Sequence, residues 1–123
     1  MIQGIVNARH EAVIRLRVRG PGGSESDVDA IVDSGFTSSL TLPATMVAAL
    51  GLVRQSGGSA TLADGSVRQF DICAAEVEWE GTWLAVLAYA VGNEPRLGMR
   101  LLAGHKLVIE VVPGGLVEII PLS

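Results

Sequence analysis

The sequence predicts a mostly β domain of many short strands with two short helices, arranged as a small barrel or sandwich. Three observations carry that expectation. Apolar and polar residues alternate with period two in several stretches, and glycine-centred turns punctuate the chain between them. Hydrophobic residues make up 49% of the chain but aromatic residues only 4%, so the core has to be assembled from Val, Leu, Ile and Ala. At 123 residues the chain is long enough for a real core and too short for two, so residues 1–123 read as one domain.

The elements follow in order. Ile14, Leu16 and Val18 alternate with Arg15, Arg17 and Arg19, which gives a strand with one buried face and one wet, basic face. The run Gly20-Pro21-Gly22-Gly23-Ser24-Glu25-Ser26 turns the chain, and Val28, Ala30 and Val32 resume the alternation up to Asp33. Leu42 to Gly51 has Pro43 where a helix can begin and Gly51 where it can end. Ser59–Ala63 and Ser66–Phe70 flank Asp64-Gly65, a pair suited to the positive φ values of a two-residue type I′ hairpin loop. Glu76–Trp79 and Thr82–Val86 flank Glu80-Gly81, a weaker version of the same device that turns the glutamates toward water. Met99–Ala103 forms a helical turn or two, stopped by Gly104. Leu107–Val112, the turn Pro113-Gly114-Gly115 and Leu116–Ile120 make a last hairpin.

Composition excludes several functions. The formal net charge of -4 argues against a nucleic-acid partner, because phosphate binding needs clustered Lys and Arg, and the alternating arginines are explained by a strand's solvent face. Cys73 is the single cysteine, so no disulfide forms within the chain; a small buried hydrophobe in a reducing, cytoplasmic setting is the expectation. The first ten residues lack a basic segment followed by a long apolar core, and no apolar stretch approaches the roughly 20 residues that span a bilayer, so no membrane partner is expected. His10 and His105 have no acidic or cysteine partner at metal-ligand spacing, so neither a metal nor another cofactor is expected. Ser38 and Ser39 lack the strained turn that exposes a serine nucleophile, and Trp79 and Trp83 are expected to pack rather than to bind.

Asp33-Ser34-Gly35 concentrates the chemistry. The apolar run Ala30-Ile31-Val32 delivers a carboxylate straight into a glycine turn that continues into Phe36-Thr37-Ser38-Ser39-Leu40. A carboxylate at a strand end, backed by hydroxyls, is costly to bury unless it is hydrogen-bonded or protonated, and that makes it a functional candidate.

With a hairpin ending in Asp33-Ser34-Gly35, a later hairpin tipped by Asp64-Gly65, and Leu97-Gly98 ahead of a short helix, the chain closely resembles the retropepsin-like aspartic proteases, the single-domain relatives of the retroviral proteases. It is most similar to the bacterial stand-alone members, in which the aspartate turn continues into Phe-Thr and then Leu-Pro, as Phe36-Thr37 and Leu42-Pro43 do here. The resemblance runs from about Ile14 to Val112 and implies a small closed acid-protease β-barrel. One such triad per chain implies a homodimer in which two Asp33 carboxylates meet across a two-fold axis and hydrolyse the bonds of a peptide or protein substrate, with no metal or cofactor.

The resemblance also implies roles for the neighbours. Ser34, in place of the more usual threonine, would bond backbone across the dimer turn; Gly35 would allow close packing of the two turns; Thr37 would add a hydroxyl near the carboxylate. Ala63, Asp64, Gly65 and Ser66 would form the tip of a flap that closes over substrate. Leu97 and Gly98 would buttress the aspartate turn, but Arg96 stands where a second apolar residue is usual, and Phe36 replaces a smaller residue. Two further readings remain open: a non-catalytic dimeric binding or scaffold module with the same fold, and an unrelated ligand-binding barrel in which Asp33 only shapes a turn.

Overall fold

The alternating stretches do become strands, and the glycines do mark most of their turns. The computed structural model describes residues 1–123 as ten strands and two helices. The first part runs β1 (Ile2–Val6), β2 (Ala12–Arg19), β3 (Glu25–Val32), β4 (Leu40–Leu42), α1 (Ala44–Ala49) and β5 (Val53–Thr61). The second part runs β6 (Val67–Trp79), β7 (Thr82–Ala90), β8 (Arg96–Leu97), α2 (Met99–Leu102), β9 (His105–Ile109) and β10 (Leu116–Pro121). All strands join one sheet in the order β5-β6-β7-β4-β8-β3-β2-β1-β10-β9. A further pairing, Val18 with Val77 and Arg19 with Glu76, brings β2 back onto β6 and closes six of them into a barrel. The fold is mostly β and retropepsin-like.

The barrel is filled as its composition dictates. Ile14, Leu16 and Val18 from β2 meet Val28 and Ala30 from β3, Leu40 and Leu42 from β4, Val77, Ala88 and Leu97, all of them buried. The intervening residues face water: Arg15 pairs with Asp29 at 3.0 Å and Arg17 with Asp27 at 3.1 Å, so the basic stripe is a solvated strand face. Cys73 is buried, and that burial pushes its thiol pKa up. Trp79 packs into the core, while Trp83 lies on the surface with the Arg19 guanidinium 4.0 Å above its ring.

Several expectations need correction. The Asp64-Gly65 hairpin is not a two-residue type I′ loop. Thr61 pairs with Val67, Gly65 N–H donates to Leu62 O, and only Gly65 has positive φ (85°), which is a type I turn closed by a glycine in the left-handed region. Asp64 avoids positive φ because its carboxylate instead accepts hydrogen bonds from the Ser66 N–H and hydroxyl. The weaker signal, Glu80-Gly81, is the true type I′ loop: Trp79 pairs with Thr82, and both loop residues have positive φ, 52° and 82°. The last hairpin turns earlier than expected, since β9 ends at Ile109 and leaves Val111 and Val112 in the loop. Strand β1 had no sequence signal of its own. Its interior Gly4 is there because a side chain at that position would strike the Val13 carbonyl of β2.

Candidate functional site

Strand β3 ends at Val32, and β4 begins at Leu40, yet the two strands are not neighbours. Strand β8 lies between them, parallel to β3 through Val32 opposite Leu97 and antiparallel to β4 through Leu40 opposite Leu97. The segment from Asp33 to Ser39 therefore has to arch over the end of β8. Its backbone is laced to that end: Asp33 N–H donates to Leu97 O (2.8 Å), Gly98 N–H to Ser39 O (2.9 Å), and Met99 N–H to Phe36 O (2.8 Å). Gly98 sits directly under the arch, where any Cβ would collide with the Ser38 carbonyl and the Phe36 ring. The buttress expected of Leu97 and Gly98 is thus a crossing of chain over chain, and Leu97 is fully buried beneath it.

The arch fixes the carboxylate. Asp33 Oδ1 accepts the Gly35 N–H at 3.0 Å, and Phe36 N–H donates to Asp33 O, so the turn is tied at both ends of the triad. A side chain on Gly35 would approach Asp33 Oδ1 to 3.2 Å, a tight contact beside the carboxylate. The other oxygen, Oδ2, faces the Arg96 guanidinium at 3.4 Å, with the Asp33 side chain 30% exposed. Ser34 and Thr37 are exposed, and the hydrogen bonds to the carboxylate come from Gly35 and Arg96 rather than from their hydroxyls.

Arg96 is the site residue that sequence reading did not pick out as a contact of Asp33. The available signal was its place immediately before Leu97-Gly98. Successive residues of a strand face opposite ways, so with Leu97 in the core, Arg96 is on the outer face beside Asp33. Its second terminal nitrogen approaches Glu94 at 3.7 Å, and Glu94 lies 4.0 Å from Arg9. Within one chain, the other carboxylate against Arg96 is therefore Glu94, on the guanidinium's second terminal nitrogen. No group of three or more His, Cys, Asp or Glu side chains is arranged to hold a metal.

The β5–β6 hairpin carries the remaining sequence-predicted residues. Ala63, Asp64, Gly65 and Ser66 are exposed at its tip, where the hydrogen bonds stay internal: Leu62 N–H donates to Ser66 O, and Asp64 accepts from Ser66 N–H (2.9 Å) and hydroxyl (2.6 Å). Those two bonds hold the Asp64 carboxyl below the usual carboxylate range. An aromatic series links the middle of this hairpin, where Phe70 pairs with Gly58, to the aspartate turn. Phe36 of the arch meets Tyr89 of β7 edge-on (5.3 Å between ring centres), and Tyr89 stacks on Phe70 of β6 (5.4 Å). A cleft of about 510 Å³ opens alongside, walled by Thr37, Ser38, Gln55, Leu87, Tyr89 and Arg100. Asp33 does not line it; the carboxylate lies on the open face above the arch.

Comparison with known proteins places the fold. The structure superposes on the EIAV protease complexed with the inhibitor HBY-793 with a TM-score of 0.54, at 13% sequence identity, covering 78% of this chain and 88% of that one. No protein-family model matches the sequence, and no curated protein matches it. At that identity the likeness is one of fold. A mostly β fold with a closed six-strand barrel is what this chain has in common with a retropepsin.

Proposed function

We propose that the chain is a homodimeric aspartic endopeptidase in which two Asp33 carboxylates, one from each subunit, activate a water between them. The observation that carries this reading is the placement of Asp33: a half-buried carboxylate held by the Gly35 amide at the end of β3, on the open face of a retropepsin-like barrel. The reaction needs two carboxylates, and Glu94 sits on the other terminal nitrogen of Arg96; in this reading the second is the Asp33 of another subunit.

A face suited to that partner leads to the turn. Cross-strand pairing sets Leu116, Ile5, Val13, Ile31 and Arg96 in one row across β10, β1, β2, β3 and β8. The row points outward, because Val6, Ile14, Ala30 and Leu97 beside it are in the core. Ile5 is 61% exposed and Leu116 37%, so the row's exposed apolar surface lies on β1 and β10, while Ile31, nearer Asp33, is buried. A two-fold contact along this row would bring the two turns together.

Two adjacent carboxylates cannot both ionise freely, so the pair holds one proton and titrates as a unit. The ionised member takes a proton from water, which attacks the scissile carbonyl; the protonated member donates toward the carbonyl oxygen, and the leaving amine is protonated as the bond breaks. Asp33→Asn is expected to abolish hydrolysis of a denatured protein while leaving the fold and the dimer in place. The rate of the wild type should show two limbs against pH, since the active pair carries one proton. Turnover by Asp33→Asn equal to wild type would remove Asp33 from the mechanism.

The Arg96 contact gives one other reading a footing: a dimeric binding module in which Asp33 is the acidic half of a structural ion pair. Under it, neither protein cleaves the substrate at any pH.

A further inference from the structure

We infer that Arg96 makes the paired Asp33 site selective for peptides carrying an acidic side chain in one of the two residues that flank the scissile bond. The inference rests on the peptidase reading above and names its substrate class.

Arg96 is held differently from the arginines of the strand faces. Arg15, Arg17, Arg19 and Arg54 each donate their Nε–H to a neighbouring carboxylate at 3.0 to 3.1 Å, a geometry that occupies the fork. Arg96 touches carboxylates only through its terminal nitrogens, at 3.4 Å to Asp33 and 3.7 Å to Glu94, and its side chain is 41% exposed. Its strand neighbours on the same face are Ile31 and Thr41, both buried and uncharged. The guanidinium therefore stands on the outer face of the sheet, next to the oxygen of Asp33 that Gly35 does not bind.

Charge balance supplies the driving force. In a single chain, Asp33 and Glu94 offset Arg96 and Arg9 one for one. Bringing two Asp33 together with one shared proton removes one negative charge from that set. Two Arg96 guanidinia then face a pair that carries a single negative charge, and a covered site makes the excess positive charge more costly than it is in open water. A substrate carboxylate restores the balance, and the planar fork of Arg matches it in shape.

The test is cleavage of a mixed peptide library by the wild type, Arg96→Leu, Arg96→Lys and Asp33→Asn, with cut sites read by mass spectrometry. The wild type is expected to enrich Asp or Glu at a flanking position by about tenfold over Asn or Gln, the size of one charge-assisted hydrogen bond. Enrichment should fall to none in Arg96→Leu, which shifts toward apolar residues, and persist in Arg96→Lys. Because the recognised group must be ionised, the enrichment should also fade as the pH drops below about 4, the range of a free Glu side chain. Wild-type cleavage without acidic enrichment overturns the role of Arg96 and leaves the peptidase reading standing, as does the same enrichment in a folded Arg96→Leu. Should Arg96→Leu not fold, loss of the enrichment in Arg96→Gln serves in its place, and its persistence there overturns the role. Cleavage by Asp33→Asn equal to wild type, or none by the wild type, overturns both.

Discussion

Gly98 and Asp33 are coupled through a few atoms of backbone. Because the arch from Phe36 to Ser38 rests on Gly98, a methyl group there has to lift the segment that holds the carboxylate. Gly98→Ala is expected to lower stability by about 1–3 kcal/mol, the usual cost of overpacking, and to lower any Asp33-dependent hydrolysis with it. Thermal unfolding followed by circular dichroism checks the first part; an unchanged Tm would mean that the arch can move aside freely. Cys73 offers a second test at this scale. Its thiol is buried and its pKa raised, so it should resist alkylation in the native protein and react fully once unfolded. Of these residues, Asp33 was legible locally as a turn at a strand end, because an apolar strand running into Asp-Ser-Gly is a local pattern; its candidacy as a site came from the order of elements along the whole chain. The Arg96 contact was not legible, since it joins residues far apart in sequence and depends on β8 lying beside β3.

The turn elements show how far local chemistry reaches. Asp64-Gly65 and Glu80-Gly81 both promised type I′ loops, and only the second is one, because Asp64 has a better local partner in Ser66. That partnership has a pH consequence. The Asp64 pKa is lowered in the folded hairpin, so its contribution to the tip is present above the ordinary carboxylate range and is lost as the pH falls through the depressed folded value. In an NMR titration the Asp64 side chain should protonate at lower pH than in Ser66→Ala, where the hydroxyl donor is gone; identical midpoints would contradict the capping role. The middle of the same hairpin rests on the aromatic series, and Tyr89→Ala should speed amide exchange along β5 by cutting the link from Phe36 to Phe70. Helix α1 was the most legible element, bracketed by Pro43 and by Gly51 at φ 63°. Strand β1 was the least, since Gly4 interrupts its alternation and its partner β10 lies at the other end of the chain.

A small barrel or sandwich was foreseeable as a class, from alternation, short strands and few aromatic residues. The barrel's closure through Val18 opposite Val77, and the insertion of β8 between β3 and β4, are long-range pairings that no local pattern encodes. Resemblance to a known family supplied what periodicity could not, and the barrel is retropepsin-like as that resemblance implied. Neither helix is long and apolar enough to cross a membrane. The outer stripe through Ile5 and Leu116 gives the proposed dimer its own test, because a charge placed in it meets its own copy across a two-fold contact. Ile5→Asp is expected to move the protein toward monomer in light scattering and to reduce hydrolysis in step, whereas a stable, active dimer would place the interface elsewhere.

The central claim is that each chain contributes one of two essential carboxylates, and subunit mixing measures that directly. With wild-type concentration held fixed, adding an equal amount of Asp33→Asn and allowing exchange should cut peptide hydrolysis by about half, because mixed dimers carry only one carboxylate. Activity that stays constant as the mutant is added, with exchange verified by mass, would show that a single chain does the chemistry alone and would contradict the account.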